Sequence, residues 1–252
     1  MKKLYQSEWH NISFKSFSKI SSKRIADETF YHAFYEQFFK KYSSWSDLDP
    51  QWLELKKNTA DFIKKNKKII KESKILSIGC GLGLIEKTLI EEGFVNLEIN
   101  EVSINPLTWL SPYIAANKIH IGQFPDCLPT DCHFDFIYLA GIEYFFDQNQ
   151  LIQFLRLVKD RLKKEGICLL ISWSIDKEDE KRILIKIKEF TKQLLISFGF
   201  LVKYRQMQFW GYIRKRADFF EAMFASGFSN IRDGFLKKNT KWDTYWIEGI
   251  NS

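Results

Sequence analysis

Apolar side chains recur at helical spacing in about the first 70 residues. Between Asp27 and Tyr42 they return every three or four positions, which predicts a helix with a broad aromatic stripe. Asp49 followed by Pro50 is typical of a helix start, with an N-cap and then proline at the first helical position. This pair predicts a second helix that runs towards Lys68.

Short apolar runs alternate with helical patterns between about residues 73 and 175. The pattern predicts strands at 74–78, 96–102, 134–139 and 167–173, and helices at 84–92 and from 151 to an end within 163–166. Strands that alternate with helices indicate a parallel sheet with helices on both faces. The segment 103–112 contains two prolines, which predicts an interrupted helix there.

The remaining residues continue this layout. Helical stripes at 183–198 and 219–224 end at glycines, and two strands are predicted near 230–235 and 244–250. We divide the chain into a helical cap or lid region, residues 1–72, and a domain of residues 73–252. The predicted fold class is α/β, with a doubly wound, mostly parallel sheet and an α-helical N-terminal cap.

Composition narrows the class of protein. Among 252 residues, 38 Lys and Arg exceed 31 Asp and Glu by 7, and 45% are apolar, which excludes a disordered chain. The positive charge reflects either a lysine-rich composition or an anionic partner. No base-stacking motif accompanies it, so nucleic-acid binding is not favoured. Four cysteines without a CxxC pair indicate reduced thiols and no metal site. With no signal peptide or membrane span in the pattern, we expect a cytoplasmic protein.

The sharpest local feature is a glycine-rich turn. The motif ILSIGCGLG at 75–83 places Gly79, Gly81 and Gly83 between a buried strand and a helix. Glycines here allow a tight turn and a close approach of the backbone to a ligand. A dinucleotide-binding turn would have its third glycine at position 84, which is Leu84. The pattern is therefore G-x-G-x-G, and its surroundings must decide what it binds.

Those surroundings resemble one enzyme family. About twenty residues after the turn, the second strand ends at Glu101, whose carboxylate can accept hydrogen bonds from both hydroxyls of a ribose. The segments FDFIYLAGIEYFFD at 134–147 and LKKEGICLLIS at 162–172 follow in order. Over residues 73–175 the chain resembles the class I S-adenosylmethionine-dependent methyltransferases. The resemblance implies a Rossmann-like methyltransferase domain whose cofactor is S-adenosylmethionine, with S-adenosylhomocysteine as product and no metal.

The resemblance also implies cofactor-binding residues. The turn residues line the methionine and ribose parts, Glu101 and Val102 meet the ribose, Gln123 and Phe124 meet the adenine, and Ala140 and Gly141 lie beneath the sulfonium. The turn residues in this set are Gly79, Cys80, Gly81 and Gly83. The family often has aspartate near position 123, so the glutamine leaves the adenine contact open. The alternative for Glu101 is a surface carboxylate at a strand end.

Three residues are candidates for the catalytic step. Tyr144 follows the third strand, where the resemblance places a residue that faces the transferred methyl; the alternative is a packed core aromatic. His10 and Glu143 are candidate general bases. An Asn-Pro-Pro-aromatic motif, which marks methylation of amide-type nitrogen, does not occur in the sequence.

The acceptor is the least defined part of the prediction. Trp9, Tyr31 and Tyr35 belong to the aromatic N-terminal region and would face the acceptor if that region is a lid; the alternative is core packing. Tyr212 and Arg214 could hold an anionic acceptor, unless they lie in a surface turn. An acceptor oxygen that is already anionic, as in a phosphate or phosphoramidate, would need no strong base.

Our leading hypothesis is O-methylation of a small-molecule or glycan-linked acceptor, as in polysaccharide modification. Two alternatives stay open. One is an RNA or protein methyltransferase, and the observation behind it is the positive net charge. The other is a non-catalytic cofactor-binding module. The observations behind it are the glutamine at position 123 and the lack of an obvious general base.

Overall fold

Strands and helices alternate through the computed structural model, which describes residues 1–175, 207–237 and 243–252. The strands in these ranges are β1 (Lys2–Gln6), β2 (Glu8–Trp9), β3 (Ile12–Ser13), β4 (Ile75–Ile78), β5 (Leu97–Glu101), β6 (Ile119–Ile121), β7 (Phe134–Ala140), β8 (Leu162–Ser174), β9 (Gln208–Ile213), β10 (Ser229–Lys237) and β11 (Asp243–Ile250). The α-helices are α1 (Glu28–Lys41), α2 (Pro50–Lys64), α3 (Leu84–Glu91), α4 (Gln148–Asp160) and α5 (Arg216–Ala225).

A seven-stranded sheet forms the centre of the fold. Its strand order is β10-β11-β8-β7-β4-β5-β6. The five strands from β8 to β6 run parallel, whereas β11 pairs antiparallel with β8 and β10 antiparallel with β11. The predicted doubly wound, mostly parallel sheet is confirmed, and so are the two C-terminal strands. Because parallel strands present their carboxyl ends at one edge, the loops after β4, β5 and β7 meet there.

Helices cover both faces of this sheet. Ala60 and Ile63 of α2 and Leu89 of α3 pack against one face, and Leu155 of α4 and Met223 of α5 pack against the other. Residues of β4 are buried throughout, as the continuous apolar run predicts for a strand covered on both faces. None of the helices in the described ranges combines the length and hydrophobicity needed to cross a bilayer.

Local signals fix the starts of the two N-terminal helices. The Asp27 side chain accepts a hydrogen bond from the backbone N–H of Phe30, and Asp49 accepts one from that of Trp52. Both aspartates satisfy donors that the first helical turn leaves free. The predicted starts are confirmed, but α2 ends at Lys64 rather than near residue 68.

The structure corrects one predicted boundary and one predicted element, and one further prediction lies outside the described residues. Helix α4 ends at Asp160 and β8 begins at Leu162, so the lysines at 163 and 164 belong to the strand and not to the end of the helix. Segment 103–112 contains short 3₁₀ turns in place of an interrupted helix. Segment 208–213 is a strand, so the alternative of a surface turn does not hold for Tyr212. The helical stripe predicted at 183–198 lies outside the described residues.

An aromatic layer lies over the carboxyl edge of the sheet. It is built by β1–β3, α1, the turn after β7 and β9, and β1 and β9 pair as a separate antiparallel ribbon. The buried aromatic members of this layer are Phe14, Phe30, Phe34, Tyr35, Phe38, Tyr144 and Trp210. Helix α2 packs on the sheet through Ala60 and Ile63 and against the aromatic layer through Trp52 and Leu53, so the region 1–72 contributes to two different parts of the fold. The division at residue 72 stays a prediction.

Candidate functional site

The glycine turn lies between β4 and α3, at the carboxyl edge of the sheet. A Cβ atom on Gly79 would overlap Ile142, and one on Gly83 would lie 2.5 Å from Leu110, so both glycines are required by packing. A Cβ on Gly81 would meet only the Tyr35 hydroxyl, at 3.8 Å. Gly81 is therefore the member of the motif that faces the space under the aromatic layer.

Glu101 holds this turn from the end of β5. Its Oε2 atom accepts a hydrogen bond of 2.9 Å from the backbone N–H of Gly81, and Oε1 accepts one of 2.9 Å from that of Val102. Burial raises the pKa of the carboxyl, and the two N–H donors partly oppose that rise. The turn and the carboxylate are thus in direct contact, twenty residues apart in sequence, and Glu101 is not a free surface carboxylate.

Apolar side chains are left exposed beside Glu101. Val102 is 38% exposed, and Ile121, which lies opposite Glu101 on the neighbouring strand β6, is 42% exposed. Gln123 is exposed at the same edge. The Phe124 ring instead packs against Phe154 of α4, with ring centroids 5.5 Å apart. Of the two residues predicted to meet the adenine, only Gln123 presents its side chain at this edge.

Three tyrosines of the aromatic layer surround the same space. The hydroxyls of Tyr31 and Tyr144 are 3.4 Å apart, and the Tyr35 hydroxyl lies near Gly81. The Tyr144 ring stacks on Phe145 and lies parallel to Trp210, at centroid distances of 4.5 and 6.0 Å. Burial raises the pKa of all three phenols, so they stay protonated at neutral pH.

Trp9 and His10 pack against other rings of the aromatic layer and are half-buried. Trp9 stacks on Phe34 at 4.8 Å, and the His10 ring meets the edges or faces of Phe38 and Trp52 at 5.4 Å. Burial lowers the pKa of His10 to about 4. Its imidazole is therefore neutral and weakly basic at pH 7, which favours a packing role over the predicted role as general base.

Arg214 is turned into the protein. It is fully buried, and its guanidinium donates to the backbone carbonyls of Glu143 (3.0 Å) and Phe146 and to the Gln148 side chain (3.2 Å). These bonds stabilise the turn after β7. The structure corrects the prediction that Arg214 binds an anionic acceptor, because all three guanidinium nitrogens donate within the protein and the side chain has no exposed surface for a ligand.

Tyr212 also lies away from the three tyrosines. Its ring meets the edge of Phe209 at 5.3 Å, and Phe209 in turn contacts Tyr5 of β1. Trp210 points to the aromatic layer, whereas Tyr212 packs in this separate ring group. These contacts give no support to an acceptor contact of Tyr212, which stays a prediction. A local pattern could not show these contacts, because the pairing of β9 with β1 joins residues about 200 positions apart.

A small cavity with polar side chains in its mostly apolar lining lies under α2, at the ends of β7, β8 and β11. Its volume is about 40 Å³, and its lining includes Ala140 and Gly141. The polar side chains that line it are those of Lys56, Thr59, Glu143, Ser172 and Thr244. Glu143 is 2% exposed and accepts a hydrogen bond from the Ser172 hydroxyl. Burial raises the pKa of Glu143.

Sequence reasoning missed two charged residues here. Helical spacing could have revealed Lys56. It lies one turn after Trp52 and one turn before Ala60, and therefore on the same side of α2 as these two residues. Glu86, 1% exposed, accepts hydrogen bonds of 2.6 Å from the hydroxyls of Ser77 and Tyr138. Its position within the apolar stripe of α3 is a comparable signal.

Comparisons with known proteins address the fold. No protein-family model matches the chain, and no curated protein sequence matches it. Among solved structures, magnesium protoporphyrin IX methyltransferase from Synechocystis, with bound S-adenosylmethionine, has a TM-score of 0.52 at 11% identity and is covered over 79% of each chain. An O-methyltransferase family protein from Burkholderia thailandensis has a TM-score of 0.57 at 10% identity, over 90% of this chain and 61% of that one.

A third structure agrees with these two. The S-adenosylmethionine-dependent methyltransferase SibL, in its apo form, has a TM-score of 0.56 at 15% identity, over 94% of this chain and 64% of that one. The chain therefore spans less than two thirds of two of these neighbours and most of the third. It has the Rossmann-like fold of S-adenosylmethionine-dependent methyltransferases, as predicted.

Proposed function

We propose that the protein is an S-adenosylmethionine-dependent methyltransferase. One observation carries the proposal: the Glu101 carboxylate meets the open glycine of the turn, Gly81, at the carboxyl edge of a sheet with the methyltransferase fold. Ligands of open α/β sheets bind at this edge, outside the strand ends. The acidic side chain at that edge could accept hydrogen bonds from ribose hydroxyls, and the glycine backbone leaves room for the methionine part of the cofactor.

The residues at this edge fit the cofactor. Glu101 would accept the ribose hydroxyls, and the exposed Val102 and Ile121 offer an apolar surface for the adenine ring. Gly141 has no atom within 4 Å of a Cβ position, so space is open beside the end of β7. The bound cofactor would supply an electrophilic methyl group; an acceptor would attack the methyl carbon in line with the S–C bond, and S-adenosylhomocysteine would leave as the neutral thioether.

The aromatic layer would create the environment for this displacement. Electron-rich ring faces attract a sulfonium cation, and the packed rings exclude water. Tyr31 and Tyr144 keep their protons at neutral pH because burial raises the pKa of each phenol. We infer that they orient an acceptor by hydrogen bonds and do not remove its proton.

We infer that the acceptor is a small molecule methylated on oxygen. Support comes from the enclosed aromatic surroundings and from the neighbours, one described as an O-methyltransferase family protein and one as an enzyme of magnesium protoporphyrin IX. A glycan-linked, phosphate or phosphoramidate acceptor was predicted partly from Arg214. With that residue buried, an anionic acceptor has no binding group at the predicted place.

Transfer of a radiolabelled methyl group tests the reaction and its acceptor class. Wild-type protein and Gly81→Arg are incubated with methyl-tritiated cofactor and separate pools of metabolites, polysaccharide, RNA and protein. We expect label in the metabolite pool with wild-type protein and none with Gly81→Arg, whose side chain would fill the space by Tyr35. Label in RNA or protein would favour that alternative. Cofactor binding without label in any pool would favour the non-catalytic module.

A further inference from the structure

The cavity under α2 contains hydrogen-bonding groups without partners. Oε2 of Glu143 and Oγ1 of Thr244 are buried and have no hydrogen-bond partner among the described residues. Each of these residues is 2% exposed. A buried polar atom without a partner costs free energy, and native structures contain few of them. These two atoms point to a ligand that would satisfy both.

The same cavity is lined by Lys56, whose ammonium has no direct hydrogen-bond or ion-pair partner among the described residues. The ammonium contacts the Trp52 ring, 5.5 Å away. Burial lowers the pKa of Lys56, and the negative charges of Glu86 and Glu143 partly oppose that effect. The Lys56 side chain is half-buried, and an anionic ligand group in the cavity could accept a hydrogen bond from its ammonium.

One positive and one negative side chain, beside two unpartnered oxygen atoms, are groups that a zwitterion would satisfy. The cavity also borders Ala140 and Gly141, the strand end where the cofactor's sulfur is expected. We propose that this cavity binds the amino-acid head of the cofactor, with Lys56 holding the α-carboxylate and Glu143 and Thr244 holding the α-ammonium group. The proposal rests on the proposed function. It makes Lys56 and Glu143 determinants of cofactor affinity.

Two ligands that differ only in the head group test this assignment. S-adenosylhomocysteine carries the amino-acid head, whereas 5′-methylthioadenosine keeps the adenosine and the thioether without it. Calorimetry measures both affinities in wild-type protein, Lys56→Met, Glu143→Gln and the matched control Lys57→Met, whose lysine is exposed one residue along α2. Lys56→Gln replaces Lys56→Met if the latter does not give the wild-type circular dichroism spectrum.

A charge-assisted hydrogen bond lost at the head should weaken S-adenosylhomocysteine binding about tenfold to a hundredfold in Lys56→Met and Glu143→Gln. Binding of 5′-methylthioadenosine should stay at its wild-type value, and Lys57→Met should change neither ligand. If Lys56→Met binds S-adenosylhomocysteine with wild-type affinity, the assignment is overturned. The cavity would then be a candidate site for a polar group of the acceptor. Failure of wild-type protein to bind either ligand would instead overturn the proposed function.

Discussion

At the residue scale, two basic side chains have roles opposite to those their sequence context indicates. Arg214 follows a Trp-Gly-Tyr-Ile segment that was expected to border the acceptor pocket. Its guanidinium instead donates hydrogen bonds to backbone carbonyls inside the fold. Lys56 is next to another lysine, typical of a solvated helix face, yet its ammonium is beside Glu143. Which cation faces a ligand depends on packing between distant segments, and one sequence shows this only through helical spacing.

His10 gives a prediction about pH. Its pKa is about 4, against an ordinary value of 6.5, because the ring is buried and Lys56 is near. Between these values the unfolded chain binds a proton that the folded chain does not, so the stability contributed by neutral His10 is complete above pH 6.5 and is lost as pH falls towards 4. His10→Asn suits the left-handed backbone (φ 48°) and removes this titration.

Chemical denaturation of both proteins at pH 7 and pH 5 checks it. The free energy of unfolding of the wild type should fall further than that of His10→Asn over this interval. Nuclear magnetic resonance should place the imidazole pKa of His10 far below 6 in the wild type. Equal pH dependence in the two proteins, or an imidazole that titrates near 6.5, would show that His10 is solvated and not packed in the aromatic layer.

At the element scale, local signals predict the start of α1, and long-range pairing decides what it covers. Asp27 caps the helix as its sequence position predicts, but the placement of α1 over the glycine turn depends on contacts outside the helix. Tyr35 of α1 approaches Gly81, and the Trp45 indole after α1 donates a hydrogen bond of 2.9 Å to the Leu82 carbonyl. Helix α1 is therefore the element placed to act as a lid.

Hydrogen exchange measured by mass spectrometry checks this role. If α1 closes on the bound cofactor, addition of S-adenosylhomocysteine should slow amide exchange in peptides from α1, because local opening of the helix becomes less frequent. Helix α5 packs beside α4 on one face of the sheet and is not part of the aromatic layer. Its peptides are the internal control and should exchange at an unchanged rate. Protection confined to the glycine turn, with α1 unaffected, would assign α1 to core packing alone.

At the scale of the whole molecule, the sheet could be predicted and the site only in part. Alternating strand and helix patterns indicated the parallel strands, because a buried parallel strand is a continuous apolar run. The turn and Glu101 could be predicted because each ends a strand at the same edge. The β1–β9 ribbon and the α2 cavity join segments far apart in sequence, and no local pattern encodes those contacts. The net charge of +7 still has two explanations.

The most direct test is calorimetric titration of the folded wild-type protein with S-adenosylhomocysteine, beside Glu101→Gln and Glu98→Gln. Glu98 is the matched control, because it lies on β5 and pairs with His120 away from the turn. We predict one site per chain, binding about tenfold or more weaker in Glu101→Gln through the lost charge-assisted bonds, and no change in Glu98→Gln. Absence of binding to folded wild-type protein, or equal affinity in Glu101→Gln, would contradict the assignment of this edge as a cofactor site.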